Sequence, residues 1–171
     1  MSELPWHEYA GESSDELFDL AASCRADSLV VAFETALDEK ALSLGLAALS
    51  DPEREVLAIE ALEREVNNGG YRQFFLNSSN AHAGRVADAL RRIGCAVTAS
   101  ITERAIAALP TGMVLTPEEL TATMAQQDQA RDAVLDECDQ AYYASGEDIA
   151  QRLLEYLVAQ REAVRFAARI R

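Results

Sequence analysis

Residues 51–80 read DPEREVLAIEALEREVNNGGYRQFFLNSSN, and they contain the clearest helix signals of the chain. It opens on an aspartate and a proline, which are typical of the N-cap and the first position of a helix. Apolar residues then recur at helical spacing up to Val66. The run Asn67-Asn68-Gly69-Gly70 predicts the end of this helix, with Gly69 in a left-handed or otherwise special backbone conformation. Residues 71–76 are predicted to form one or two further helical turns, with two phenylalanines in the core.

The same signals of helix formation recur along the rest of the chain. Ser13 or Ser14 is expected to cap a first helix, and Thr116 followed by Pro117 is expected to begin a late one. No segment alternates apolar and polar residues as a half-buried strand does. We therefore predict an all-α fold, a single compact bundle of about seven helices. Later helices are expected at about residues 81–93, 97–109, 116–143 with a kink near 126–129, and 148–169. Residues 1–12 are expected to be a flexible lead, and residues 13–171 a single helical domain.

The charge of the chain is strongly negative and unevenly distributed. The formal net charge is −14, with −8 in residues 1–50, −1 in 51–100, −8 in 101–150 and +3 in 151–171. A field of this sign repels nucleic acid and anionic membranes and attracts basic protein surfaces. We therefore expect no direct binding of nucleic acid or membranes. Acidity also serves simple solubility, which is an alternative explanation of the same charge.

Sequence motifs for targeting and for catalysis are missing. No stretch approaches the roughly 18 apolar residues of a membrane span, and the first residues lack the regions of a secretory signal. Cys24, Cys95 and Cys138 are odd in number and far apart, so a reducing cytoplasm is expected. The chain has no metal-ligand pattern, phosphate-binding loop or nucleophile motif. We therefore expect neither an enzyme nor a cofactor or metal site.

The central motif resembles a known family. Residues 63–78 follow the pattern E-x-x-x-N-N-G-G-[YF]-x-Q-F-F-x-N-S, which is similar to the signature of a bacterial domain-of-unknown-function family typified by an acidic DNA-mimic protein. The resemblance covers about residues 50–160. It implies an all-helical fold, a homodimer, and carboxylates that replace DNA phosphates on the DNA-binding face of a transcription factor. The motif residues carry over as structural markers of the family: Asn67, Asn68, Gly69, Gly70, Gln73, Phe74, Phe75 and Asn77.

Four aspartates are the candidate partner surface. Asp128, Asp132, Asp136 and Asp139 fall at positions i, i+4, i+8 and i+11, which places them on one face of a helix, opposite an apolar stripe. We expect them to be exposed together and to receive the Arg and Lys side chains of a basic partner. A solvated helix face with no partner is the alternative interpretation of such a stripe.

Three functional hypotheses follow. The first is an acidic helical protein-binding domain that occupies the basic DNA-binding face of a transcription regulator or nucleoid protein. The second is a small enzyme or ligand-binding domain with a pocket near the corner at residues 67–77. The third is a structural or immunity-type partner protein that does not mimic DNA.

Overall fold

The structure of the chain is a computed structural model that describes residues 4–110, 112 and 115–169. Within these residues it contains eight α-helices, three short 3-10 helices and no strand, which confirms the predicted all-α class. The α-helices are α1 (Ser14–Asp19), α2 (Ala26–Leu44), α3 (Asp51–Leu76), α4 (Val86–Arg92), α5 (Ala96–Ala107), α6 (Pro117–Met124), α7 (Gln129–Tyr143) and α8 (Ile149–Ala159). The 3-10 helices are Leu46–Ala48, Ser78–His82 and Arg161–Ala163. No described helix is long and apolar enough to cross a bilayer.

The helices form two compact units. The terminal unit comprises the chain up to Glu60 and from Asp148 onward. Its helix α1 begins at a capping box, in which the Ser13 hydroxyl accepts from the Glu16 amide and the Glu16 carboxylate accepts from the Ser13 amide. Helix α2 packs against α1 and α8. The core of this unit includes the buried side chains of Leu17, Leu29, Phe33, Leu37, Val56, Ile59, Leu153, Leu157 and Val164.

The central unit comprises residues 61–147. Helix α5 packs against both α4 and α7, and α6 contacts the 3-10 helix Ser78–His82. Helix α6 begins as predicted, with Thr116 accepting from the Glu119 amide and Pro117 at the first position. The core includes the buried side chains of Leu62, Val66, Tyr71, Phe74, Phe75, Leu90, Leu120, Leu135 and Cys138. Burying each phenylalanine stabilises the fold by roughly 1.5–3 kcal/mol.

Several helix boundaries differ from the sequence predictions. Ser50 caps α3 instead of Asp51, because its amide and hydroxyl exchange hydrogen bonds with Glu53 at 2.9 and 3.4 Å. Helix α4 begins at Val86 because the 3-10 helix Ser78–His82 takes up the preceding residues. The predicted helix at 116–143 is divided into α6 and α7 near the expected kink, and the Asp128 side chain caps α7.

Helix α3 is interrupted where the double glycine predicts an end, but the special conformation belongs to Gly70. Gly69 has φ −161° and ψ 22°, and Gly70 has φ 75° and ψ −177°. Gly69 therefore leaves the helical conformation, but a φ near −161° is open to any residue, so the left-handed alternative predicted for Gly69 is wrong. The conformation of Gly70 is essentially restricted to glycine. A Cβ on Gly70 would also collide with the Asp139 carboxylate.

Gly70→Ala is expected to destabilise the chain by about 3 kcal/mol, because backbone strain and the collision with Asp139 add together. The measurement is the free energy of unfolding in urea. Gly84→Ala is the matched control, because a Cβ there meets no atom within 4 Å. Equal free energies of unfolding for the two variants would contradict the assignment.

Candidate functional site: the motif corner and the acidic segment α6–α7

The bend in α3 closes a polar network around Glu65. Its carboxylate accepts hydrogen bonds from the Gln73 amide at 2.7 Å, the Asn77 amide at 2.9 Å and the Ser79 hydroxyl at 2.9 Å. Glu65 is only 8% exposed. Burial raises the pKa of Glu65, but the three hydrogen bonds outweigh it and hold the pKa below its usual value. The carboxylate therefore ties the two sides of the bend together in its ionised form.

The other motif residues also contact the protein itself. The Asn67 side-chain amide donates to the Glu63 carbonyl at 2.8 Å, which is an interaction typical of a helix end. Phe74 and Phe75 are fully buried, with ring centroids 5.4 Å apart. Asn68 and Gly69 are exposed. Because Gln73 and Asn77 bind Glu65, the corner at 67–77 uses its polar groups to maintain the bend.

A second contact fixes the bend against α7. The Tyr71 amide donates to the Asp139 carboxylate at 2.8 Å, and the Tyr71 hydroxyl lies 2.8 Å from that of Thr102. Burial raises the pKa of Asp139; the Tyr71 amide offsets part of this, while the nearby Asp136 raises the pKa further. On α7, the Tyr143 hydroxyl donates to the Val66 carbonyl at 2.6 Å. Helix α7 thus closes hydrogen bonds on both sides of the double glycine.

Glu65→Gln is expected to lower the free energy of unfolding at about pH 7 by about 1–3 kcal/mol, because one acceptor becomes a donor that faces other donors. The folded pKa of Glu65 is lowered, so its contribution is present above the unfolded pKa and is lost as pH falls through the folded pKa. The difference between variant and wild type should therefore narrow below about pH 4.

Urea denaturation at neutral and acidic pH measures this difference. The exposed residue Glu118 supplies the control, and Glu118→Gln should change the free energy of unfolding by less than about 0.5 kcal/mol at either pH. A constant difference for Glu65→Gln across the pH range would show that its ionisation is not the cause.

Replacements of Asp139 separate its charge from its hydrogen bond. Asp139→Ala leaves the buried Tyr71 amide without an acceptor, and it should lower the free energy of unfolding by about 1–3 kcal/mol. Asp139→Asn keeps an acceptor oxygen and removes a half-buried charge, so it should remain within about 1 kcal/mol of wild type. Because the pKa of Asp139 is raised in the folded state, proton binding at Asp139 favours folding, and this pH-dependent part of the stability is lost as pH rises through the folded pKa, whereas the hydrogen bond from Tyr71 remains. Urea denaturation of both variants checks this order of stability, and the reverse order would contradict the role of Asp139.

The four predicted aspartates do not form one uniformly exposed stripe. Asp128 precedes α7 and accepts from the Arg131 amide at 3.0 Å. Asp132 pairs with Arg131 at 2.8 Å and with Arg72 at 3.0 Å. Asp139 is half-buried beneath the bend, whereas Asp136 is exposed. The expectation of joint exposure is therefore wrong, because α7 begins at Gln129 and three of the aspartates, all except Asp136, accept local or tertiary hydrogen bonds.

The net negative charge of the central unit nevertheless lies in one stretch. Residues 116–143, here called the acidic segment α6–α7, hold seven acids and one base, or −6, while the whole central unit carries −5. The single base is Arg131, which is 4% exposed. Its guanidinium group donates to the carbonyls of Thr123 and Gln126, at 2.8 and 2.9 Å, and thereby fixes the turn between the helices.

Five carboxylates of the acidic segment α6–α7 have no cationic partner in an ion pair among the described residues, and four of the five are exposed. These exposed residues are Glu118, Glu119, Asp128 and Asp136. Glu137 pairs with Arg104, and Asp132 pairs with Arg72 and Arg131. The segment therefore presents an excess of carboxylates to solvent that the cations of the described residues do not neutralise.

Sequence reasoning missed three residues that organise the central unit. Glu65 and Arg131 look like ordinary surface charges in the sequence, and both are buried. Glu147 accepts from the amides of Val97 and Thr98 at 3.1 and 2.8 Å, and so caps α5 from a distant position. Of the contacts that these residues make, only the one between the Asp128 side chain and the Arg131 amide could have been predicted from the sequence, because it has the spacing of an N-cap.

The histidine and cysteine side chains of the described residues are all buried or partly buried. No group of three or more His, Cys, Asp or Glu side chains there is arranged to hold a metal ion. The three cysteines are buried and free. Burial lowers the pKa of His82, and the nearby Arg85 and Arg64 lower it further, which favours the neutral form of this imidazole.

The fold and surface define an acidic, all-helical protein with a motif-stabilised bend. A model of the DMP19-like protein family matches residues 47–160, two thirds of the chain, and the chain belongs to this family. The matched range contains the double-glycine bend and the whole acidic segment α6–α7. A search of curated proteins found no match to the chain.

Proposed function

We propose that this chain is an acidic protein-binding domain whose acidic segment α6–α7 occupies a basic surface, namely the DNA-binding face of a transcription regulator or nucleoid protein. The observation that carries the proposal is the group of four exposed carboxylates that no cation of the described residues neutralises, Glu118, Glu119, Asp128 and Asp136. Membership of the DMP19-like protein family is consistent with this role, as is the resemblance to a family typified by a DNA mimic.

The spacing of charge on α7 fits the same class of partner. Asp136 lies four residues after Asp132, which already pairs with two arginines, and this spacing corresponds to a rise of about 6 Å along a helix. Phosphates of one DNA strand follow at about 3.4 Å of axis per nucleotide, so the carboxylates lie at distances that arginine and lysine clamps accommodate. The bend fixes α7 through Asp139 and Tyr143. The acidic groups therefore need little ordering when a partner binds, which favours affinity.

The polar groups of the motif corner give no comparable support for a ligand site. Gln73, Asn77 and Ser79 all donate to Glu65. A ligand at this corner would have to compete with a buried carboxylate for these donors. A basic partner meets no such competition at the acidic segment α6–α7, because the carboxylates there are already exposed.

The triple variant Glu118→Gln, Glu119→Gln, Asp136→Asn tests the proposal, since it removes three exposed charges but keeps the Asp128 cap and the Asp139 hydrogen bond. The immobilised protein is exposed to cell lysate at about 50 and about 300 mM salt, over which charge screening increases. A basic DNA-binding protein should be captured at low salt and released by excess duplex DNA. The triple variant should bind it roughly tenfold more weakly.

The matched control is Glu8→Gln, Asp51→Asn, Glu155→Gln, which removes the same number of exposed charges from the terminal unit. It should retain the captured protein. Equal binding by the triple variant and wild type would exclude the acidic segment α6–α7. Failure of duplex DNA to release the captured protein would exclude a DNA-binding face and leave a different basic surface.

A further inference from the structure

The C-terminal tail of the terminal unit places arginines on the acids of α1 and α2. Residues 160–169, here called the arginine tail, carry Arg161, Arg165 and Arg169 at a spacing of four. Arg161 lies 3.1 Å from Asp15 and 3.6 Å from Asp19. Arg165 lies 3.0 Å from the same Asp15 oxygen. One carboxylate thus accepts from two guanidinium groups of the tail.

A third pair extends the contact to α2. The Arg169 Nε donates to the Glu39 carboxylate at 2.8 Å, and its guanidinium carbon lies 5.1 Å from the centre of the Tyr9 ring. Arg161 similarly lies 5.3 Å from the Phe18 ring centre. Each of these arginines therefore combines an ion pair with contact to an aromatic face.

The backbone of the arginine tail is held separately from its charges. Val164 is fully buried, and the Phe166 ring packs edge-on against Phe33 with centroids 5.9 Å apart. The Ser14 amide donates to the Phe166 carbonyl at 3.1 Å. These contacts keep the tail in place whether or not its guanidinium groups are paired.

Gly11 allows Arg169, at the end of the arginine tail, to approach the backbone closely. The Arg169 amide donates to the Gly11 carbonyl at 2.8 Å. Gly11 has φ 101°, and a Cβ there would lie 2.9 Å from the Arg169 side chain. Only glycine allows the tail to approach so closely.

The guanidinium groups themselves remain accessible. The side chains of Arg161, Arg165 and Arg169 are 43%, 47% and 52% exposed. Exposed ion pairs of this kind are weak and easily exchanged. The fixed backbone nevertheless keeps the three groups next to the carboxylates, at an effective concentration on the order of millimolar or higher. A basic partner must exceed this local concentration before it gains the same carboxylates.

We propose that the arginine tail is an autoinhibitory strap, which occupies Asp15, Asp19 and Glu39 until a segment with several clustered arginines displaces its guanidinium groups. The backbone anchors at Val164 and Phe166 stay in place during this exchange. Partners with isolated basic residues do not displace the guanidinium groups of the strap, whereas partners with dense positive charge do. Helices α1 and α2 and residues 161–169 lie outside the matched range 47–160. The strap is therefore built from the segments of this chain that flank the family-matched part, and it is separate from the acidic segment α6–α7.

The test measures binding of a fluorescent oligoarginine peptide to the full chain. The strap variant is Arg161→Gln, Arg165→Gln, which leaves Asp15 and Asp19 unpaired with the tail. The control is Arg85→Gln, Arg152→Gln, which removes two exposed arginines and the same amount of charge. At low salt the strap variant should bind the peptide at least roughly threefold more tightly than the control.

A further pair of substitutions identifies the surface. Adding Asp15→Asn and Asp19→Asn to the strap variant should abolish its gain over the control, because the freed carboxylates are then missing. A strap variant that binds no more tightly than the control overturns the proposal. A gain that survives the two asparagines overturns it as well.

The wild-type protein supplies a measurement that needs no variant. During titration with the peptide, the side-chain Nε–H signals of Arg161 and Arg165 should shift in nuclear magnetic resonance spectra as their carboxylate partners are exchanged. Saturation with peptide without any change in these signals would exclude displacement. Failure of the acidic segment α6–α7 to capture a partner has no bearing on these results, because the peptide assay measures binding at Asp15 and Asp19 of the terminal unit.

Discussion

The conformation of Gly70 is the constraint on which the central unit depends. Its φ of 75° turns the chain between two helical stretches of α3, and the Asp139 carboxylate lies where a side chain would begin. The same carboxylate accepts from the next amide, that of Tyr71. Because Gly70 has no side chain, the Asp139 carboxylate can approach the backbone there, and its hydrogen bond with the Tyr71 amide joins α3 to α7. The bend also returns Gln73 and Asn77 to Glu65, so the position of the acidic helix and the internal order of the motif have a common origin.

The local features of the fold could be predicted from sequence because neighbouring residues create them. The helix start at Thr116, the interruption at the double glycine and the division near residue 127 follow from capping chemistry and backbone conformation. The structure displaced some predictions by a residue or more where two local options compete. Ser50 and Asp51 can both cap a helix, and the capping box formed with Glu53 favours Ser50.

The candidate site was less predictable, because its properties depend on tertiary contacts. Helical spacing correctly grouped Asp132 and Asp136, but it could not reveal that Arg72 pairs with Asp132 from another helix. Nor could it reveal that Asp139 lies beneath the bend. The motif pattern marked Gln73 and Asn77, whereas their partner Glu65 has no distinguishing feature in the sequence. A carboxylate becomes part of a core only when distant donors converge on it.

The net charge of −14 therefore overstates the acidity that a partner meets. Glu53, Glu55, Glu60 and Glu65 are all buried on α3. Both carboxylate oxygens of Glu53 accept hydrogen bonds from Lys40 Nζ at 2.7 Å, and one also accepts from the Arg165 amide at 2.9 Å. The charge of Glu53 is therefore compensated inside the terminal unit. The first acidic block, residues 1–50, loses further exposed charge to the arginine tail. In residues 116–143 the only base is buried and holds the turn between two helices. Because that arginine supports the shape of the segment instead of covering its carboxylates, the acidic segment α6–α7 keeps its negative field toward solvent, where the field can steer a basic partner.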